Sequence, residues 1–582
     1  MKKIISLLFV ISFITPLALA QIAHDELLKG FQNPPEEAKP RTWWHWTGSN
    51  ITKEGITKDL EWMKRVGIGG FQAFDVSFGM GQTTDKKIVF MTPEWLDAIR
   101  HTAAEAERLG LEMTMVTSAG WSETGGPWVK PEEAIKKIVW SELAISGGKK
   151  FSGKLPLPPS NNGPIRNLSR PASGFGAVAN SIPDPTLYVD HKVIAFKAPK
   201  DEVKIADLKP KVTSSAGEID AAALLDDDLT TKVTLPMPSL ETPVWIQFEF
   251  AQNFRASSFS LALALKNQFG SMDMTTGYVQ VSEDGKNFKT IVALPGPQHD
   301  IRALPVRTYT FPEVRARYYR ITFTGGSGMT TVGNFGSASY FGPAATSAAL
   351  LEAKFFSDAR VNRWEDKAHF APMFELEALA TPTVAESSTI SEVIDITDKM
   401  KADGSLTWDA PAGNWTIFRM GYSLTGSKNS PAVPAGIGYE VDKLSKKHLE
   451  SYYRNYTNPI AQALGPLYGK RMQYWLTDSF EADAQNWTEE MPQEFLKRRG
   501  YDMTPYLPVL SGRIVKNAGL SDRFLWDFRR TIADLIADHH YKALSELAHQ
   551  QGIKLYGESA GISMPIIQDA MLNKKYLDIP MA

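Results

Sequence analysis

The chain has 582 residues and a formal net charge of −2, from 63 basic and 65 acidic side chains, and it is 43% apolar and 22% charged. Lengths of roughly 100–200 residues per domain predict two to four domains, and the even charge balance gives no footprint for nucleic acid and no charged tail. There is no cysteine, which removes disulfides, thiolate metal sites, a Cys nucleophile and a lipid-modified cysteine together.

In chain order, residues 1–20, MKKIISLLFVISFITPLALA, come first. Lys2 and Lys3 precede an apolar run from Ile4 to Ile14, and Ala18-Leu19-Ala20 supplies a small-x-small cleavage pattern. This is the form of a cleavable secretory signal, so a periplasmic or secreted protein is expected. No later run of about 18 apolar residues follows, so no membrane insertion is expected after cleavage.

From 21 to 149 strands alternate with helices. RTWWHW (41–46) reads as a short aromatic strand, and Ile51, Ile56, Leu60, Met63 and Val66 then recur at helical spacing up to Gly67. IGGFQAFDV (68–76) reads as a buried strand, Thr92-Pro93-Glu94 opens a second helix ending near Gly110, and LEMTMVTS (111–118) is a third strand. From 150 to 435 apolar residues alternate instead, as in VWIQFEF, SFSLALAL and RYYRITFTG, and Asp284-Gly285 marks a hairpin. This is a β-sandwich-rich insertion with a discoidin-like, carbohydrate-binding pattern. From 436 to 582 alternation returns: a long helix, the strand MQYWLTD (472–478), helices over 489–500 and 522–552, the strand IKLYGES (553–559), and a further strand beginning in YLDIPM (576–581).

The architecture that joins these zones is α/β: a (β/α)8 barrel interrupted by the β-rich insertion and incomplete at residue 582, with a doubly wound open sheet as the disfavoured alternative because no Gly-rich phosphate loop follows an early strand. Barrel active sites lie at the C-terminal ends of the strands. That rule selects His45, Trp46, Asp75, Ser118, Trp121 and Glu123 from the first zone, and Asp478, Glu481 and Glu558 from the last. Glycoside hydrolysis needs one carboxylic acid to protonate the leaving oxygen and a second carboxylate to activate water or attack the anomeric carbon. Glu481 and Glu558 are the candidates for that chemistry. His45, Trp46, Asp75, Trp121, Glu123 and Asp478 are candidate sugar contacts. Asp478, Glu481 and Asp483 also supply hard oxygen donors that suit Ca2+ better than Zn2+. His539-His540 reads as structural, and no G-x-S-x-G elbow supports a serine hydrolase. No organic cofactor is expected.

The blocks RTWWHWTGSNITKEGITKDLEWMKRVGIGGFQ, TSAGWSETGGPWVKPEEA and LTDSFEADAQNW, with LYGESAG and YLDIPMA, together resemble glycoside hydrolase family 106, the α-L-rhamnosidases. The resemblance covers both barrel zones. It implies an inverting enzyme with a (β/α)8 catalytic domain and calcium near the active site, acting on plant or algal polysaccharide. It makes Glu481 the general acid, places Trp46, Trp121 and Trp128 around the sugar, and gives Asp478 to substrate or calcium. In the family the last block runs on into further barrel, so the catalytic base is expected either beyond residue 582 or at Glu558, with Glu558 a substrate or metal ligand in the first case. Two alternatives remain open: a catalytically degenerate carbohydrate-binding protein, and a barrel glycosidase of different sugar specificity.

Overall fold

A six-stranded sheet runs in the order β1 (Arg41–Thr47), β2 (Gly70–Val76), β3 (Glu112–Val116), β4 (Met472–Thr477), β5 (Lys554–Gly557) and β6 (Ile579–Pro580). Every neighbouring pair is parallel. The computed structural model describes residues 26–169, 184–200, 202–264, 276–294, 306–324, 347–371, 373, 380–480, 482, 484–559 and 567–581. The segment read as an export signal lies outside the described residues, as do Glu481 and Asp483.

Helices α1 (Lys53–Arg65) and α2 (Pro93–Leu109) form where the spacing of apolar residues predicts them, and their ends have local causes. The side chain of Thr52 accepts from Gly55 N, that of Thr92 accepts from Trp95 N, and α2 stops at Gly110 with φ +69°. After β3 the crossover is long, and the longer helices that follow it are α3 (Lys446–Leu464), α4 (Met491–Arg499), α5 (Ala518–Leu535) and α6 (Ala543–Gln550). A π-helical turn over Ile536–Lys542 joins α5 to α6 without a break.

Strand register divides the sheet into two faces, because side chains alternate and paired residues of parallel strands point the same way. One row runs Trp44↔Ala73, Ala73↔Met115 and Met115↔Trp475, and it packs with the buried faces of α1, α2 and α3 into the main core. The other row includes His45↔Phe74, Leu476↔Val116 and Leu476↔Tyr556. Phe74, Val76, Val116 and Leu476 form a small core of their own there, with Trp121, Tyr556 and Met581 against it.

The β3–β4 crossover holds two β bodies rather than one. Strand 136–146, inside the first zone as read from sequence, pairs antiparallel with 414–424 from Lys136↔Leu424 to Ser146↔Asn414. With 188–197 and 393–395 it makes a four-stranded sheet. An eight-stranded antiparallel sheet is nested within that one, built on two long strands, Val244–Leu263 and Val306–Phe323, paired through two register shifts. Its hairpin turns at Asp284-Gly285, where Asp284 Oδ1 accepts from Lys286 N and Asn287 N at 2.9 Å each. At its neck Val203 N donates to Ser357 Oγ at 2.6 Å.

Candidate active site

The C-terminal ends of the parallel strands are level. Thr47 pairs with Val76, Val116 with Leu476, and Thr477 with Gly557. Beyond the last pair, Glu558 N donates to Thr477 O at 3.3 Å, and on the other side Thr117 N donates to Leu476 O at 2.8 Å. Asp478 and Glu558 each follow the Thr477↔Gly557 pair by one residue, and adjacent strands lie about 4.8 Å apart, so their carboxylates leave neighbouring backbones at one rim. Asp478 is buried and its Oδ1 accepts from Ser479 N at 2.8 Å. Glu558 is half-buried, and Ser559 after it turns in the left-handed region with φ +65°.

His45 and Trp121 meet on the inner face of the sheet. Trp121 Nε1 donates to His45 Nε2 at 3.1 Å, which leaves the ring proton of a neutral His45 on Nδ1. Burial lowers the His45 pKa, so this neutral form is favoured. Trp43, Phe74 and Phe78 extend the pair into an aromatic wall: Trp43 lies 6.4 Å and Phe78 5.4 Å from the Trp121 ring, and Phe74 lies 5.2 Å from both Trp43 and His45. Trp43 is 44% and Phe78 42% exposed. The sequence reading missed Trp43, although it sits two residues before His45 and therefore shares its face.

Glu123 is buried, and its two oxygens are used differently. The Tyr541 hydroxyl donates to Oε1, and His540 Nε2 lies 3.2 Å from Oε2. Burial raises the Tyr541 pKa far above its usual value, and the charges of Glu123 and Glu558 add to the shift. Both partners come from the π-helical turn, whose wider winding lets consecutive residues His540 and Tyr541 reach one carboxylate. Tyr541 carried no sequence signal, and His540 is structural in the sense that it meets Glu123 rather than solvent.

Three expected sugar contacts point elsewhere. Trp46 stacks edge-on to Trp44 at 5.5 Å and Trp95 at 6.3 Å within the helix layer. Trp128 packs on Tyr456 at 5.7 Å and Phe90 at 6.5 Å. Asp75 pairs in register with Trp46, and its Oδ1 accepts from Trp95 Nε1 at 3.2 Å. Burial pushes the Asp75 pKa up to about 7, the Trp95 hydrogen bond opposing it. Trp46 and Asp75 lie at strand C-terminal ends, as expected, and Trp128 in the loop after β3, but all three are on the helix side.

Glu481 and Asp483 fall outside the described residues, but the chain after them is firmly held. Asn486 Oδ1 accepts from Ile138 N at 2.9 Å, and Asn486 Nδ2 donates to Ala368 O at 2.9 Å. Asp442 accepts from Gln485 Nε2 and from Thr488 Oγ1, and its Oδ2 meets Lys136 Nζ at 3.0 Å with both side chains fully buried. His448 and Glu489 complete a group whose ligand atoms, one from each residue, all lie within 4.8 Å of one another. Lys136 Nζ also lies 3.4 Å from Glu489, so an internal ammonium already offsets one of that group's two carboxylate charges. Burial works against the charge of Glu489, yet the His448 hydrogen bond and Lys136 hold its pKa down at about 2.

Comparison with known proteins follows the same lines. Residues 32–582 match the sequence profile of glycoside hydrolase family 106, described as alpha-L-rhamnosidase. A solved structure of a rhamnosidase from Novosphingobium sp. PP1Y is 37% identical with a TM-score of 0.82, over 95% of this chain and 49% of that one. A curated protein of Formosa agariphila named "Putative beta-glucuronidase" is 29% identical over 529 residues, 91% of this chain and 30% of that protein. The chain thus spans about half or less of the length of these two relatives.

Proposed function

Because the chain belongs to glycoside hydrolase family 106, the alpha-L-rhamnosidases, we propose that it is the catalytic part of an exported α-L-rhamnosidase that inverts configuration and releases rhamnose from plant or algal polysaccharide. The observation that carries this reading is the rim itself. Asp478 and Glu558 follow the Thr477↔Gly557 pair, the buried Glu123 is joined to Tyr541, and the His45–Trp121 pair opens onto an aromatic wall. Carboxylates beside aromatic rings at the C-terminal end of a parallel sheet suit acid–base cleavage of a sugar acetal. The six parallel strands in sequential order are read as the first six of a (β/α)8 barrel.

In this mechanism Glu481 donates a proton to the leaving oxygen. The role is the one the family resemblance implies for the block LTDSFE, in which Glu481 stands three residues beyond Asp478 and ahead of the anchored 484–489 segment. Neutral His45, with its proton on Nδ1, donates to a sugar hydroxyl, and Trp121 fixes its ring. A carboxylate on the opposite face of the sugar activates water, with a separation of ~6.5–9.5 Å from the acid in an inverting site. Glu558 is the candidate within this chain. Asp478 and Glu558 also offer the hard oxygen donors that Ca2+ requires, and such an ion when bound would fix sugar hydroxyls in place.

The side chains named at the rim are carboxylates, aromatic rings and a neutral imidazole. Without a bound cation these groups favour a neutral sugar over a uronate, whose carboxylate they would repel. The name of the Formosa relative makes β-glucuronide the comparison that decides. Turnover of an aryl α-L-rhamnoside, with none of an aryl β-glucuronide, is the expected result; the reverse pattern would overturn the assignment of sugar. Glu481→Gln is expected to lose at least about 100-fold in kcat with folding intact, and near-normal turnover would remove Glu481 as the acid.

A further inference from the structure

A cleft of about 220 Å3 opens beside α5, lined by Trp526, Arg529, Arg530, Ile567, Gln568 and Asp569. Three of these side chains stand out from the ordinary protein surface. Trp526 is 62% exposed, a large ring with little packing of its own. Gln568 is only 5% exposed, and among the described residues neither its amide nitrogen nor its amide oxygen has a hydrogen-bond partner. Buried polar atoms are costly to leave unmade, so an orphaned amide facing a cleft calls for a partner that arrives from outside. Arg529 gives one guanidinium N–H to the Met373 sulfur at 3.2 Å and forms no ion pair among the described residues. Its neighbour Arg530 is different, since Asp534 lies 3.0 Å and Asp569 3.9 Å from it. Among the described residues the cleft therefore holds one cation without an ion pair, one unsatisfied amide and one exposed aromatic face.

Its position is also informative. Asp569 caps the short helix Ala570–Lys574 by accepting from Leu572 N at 3.0 Å. Ser559, the residue after Glu558, donates from Oγ to Ala570 O, and Asn573 Nδ2 donates to Ser559 O, both at 3.3 Å. One wall of the cleft is thus tied to the rim of the candidate active site.

We propose that this cleft is a second saccharide site, which takes a sugar unit carrying an anionic group, either a uronate carboxylate or a sulfate ester. Trp526 stacks on the ring, Arg529 meets the anion, and the Gln568 amide, with both a donor and an acceptor, pairs with adjacent hydroxyls. The proposal rests on the reading of the chain as a saccharide-acting protein, and it adds a charged component to a substrate whose cleaved unit is neutral.

Affinity electrophoresis of the full chain tests it, in gels containing alginate for the uronate, carrageenan for the sulfate ester, and galactomannan as the neutral polymer. Retardation is expected in one of the two charged gels and not in the neutral one. Trp526→Ala and Arg529→Gln are each expected to lower the relative affinity by about tenfold. Trp526 is exposed, so its replacement leaves folding intact even where Arg529→Gln does not. No retardation in either charged gel, equal retardation of the variants, or retardation by galactomannan alone would overturn the proposal. Aryl rhamnoside turnover is scored separately: its absence counts against the catalytic reading and leaves the retardation result standing.

Discussion

Asp75 and His45 occupy the ends of neighbouring strands, yet they face opposite sides of the sheet. The rule that barrel sites lie at strand ends finds both residues in the sequence, but the face follows from register, which no single strand reveals. His45 pairs with Phe74 and turns inward, while Trp46 pairs with Asp75 and turns toward Trp95. This buried carboxyl has a consequence for stability. Its pKa is raised from 3.8 to about 7 by burial, so between those values the folded chain holds a proton that the unfolded chain releases. The stability it contributes is full below the unfolded pKa and is lost as the pH rises through the folded one. Asp75→Asn keeps an acceptor for Trp95 and removes the titration. Chemical denaturation is therefore expected to show the variant gaining on the parent between about pH 5 and pH 8, by up to roughly 3 kcal/mol. A parallel loss at both pH values would contradict the burial argument. Glu123→Ala tests the inner side. It strands the Tyr541 hydroxyl and the His540 ring in the interior, and a loss of about 2–4 kcal/mol in unfolding free energy is expected, with Glu123→Gln recovering part of it.

At the scale of elements, the helices were the most legible part of the sequence. Thr92 and Gly110 marked ends that a local hydrogen bond and a left-handed φ explain. The π-helical turn was not legible, because nothing in IADHHYK differs from ordinary helix; it exists where a tertiary partner, Glu123, rewards the wider winding. Strand 136–146 was also hidden, since its partner 414–424 lies far away in sequence. That strand turns out to matter to the site, because it anchors the segment after Glu481. Lys136→Met would leave Asp442 buried without its cation, and a loss of about 3–5 kcal/mol is expected from urea unfolding. Asn486→Ala removes both the Ile138 and Ala368 hydrogen bonds. If the segment positions the proton donor, kcat on an aryl rhamnoside falls with little change in KM; an unchanged kcat would detach the anchor from catalysis.

At the scale of the whole molecule, the sequence made the parallel α/β part and the β-rich insertion separately visible, because the period of apolar residues changes between them. It did not reveal that the insertion is a sheet within a sheet, since nesting is a matter of which distant strands pair. Chelation provides a test at this scale. If Asp478 and Glu558 share a bound Ca2+, treatment with EDTA lowers Tm and Ca2+ restores it, while Asp478→Asn abolishes the response. A Tm indifferent to chelator would count against the ion. The hydrogen bond between Val203 and Ser357 has a consequence of its own. These residues are 154 positions apart in sequence, yet touch at the neck of the eight-stranded sheet. A body whose entry and exit meet can be removed, exchanged or enlarged without moving the chain on either side, because the host needs only a short bridge across the same gap. The nested sheet is in this sense a cassette, exchangeable at this neck without disturbing the parallel sheet that hosts it.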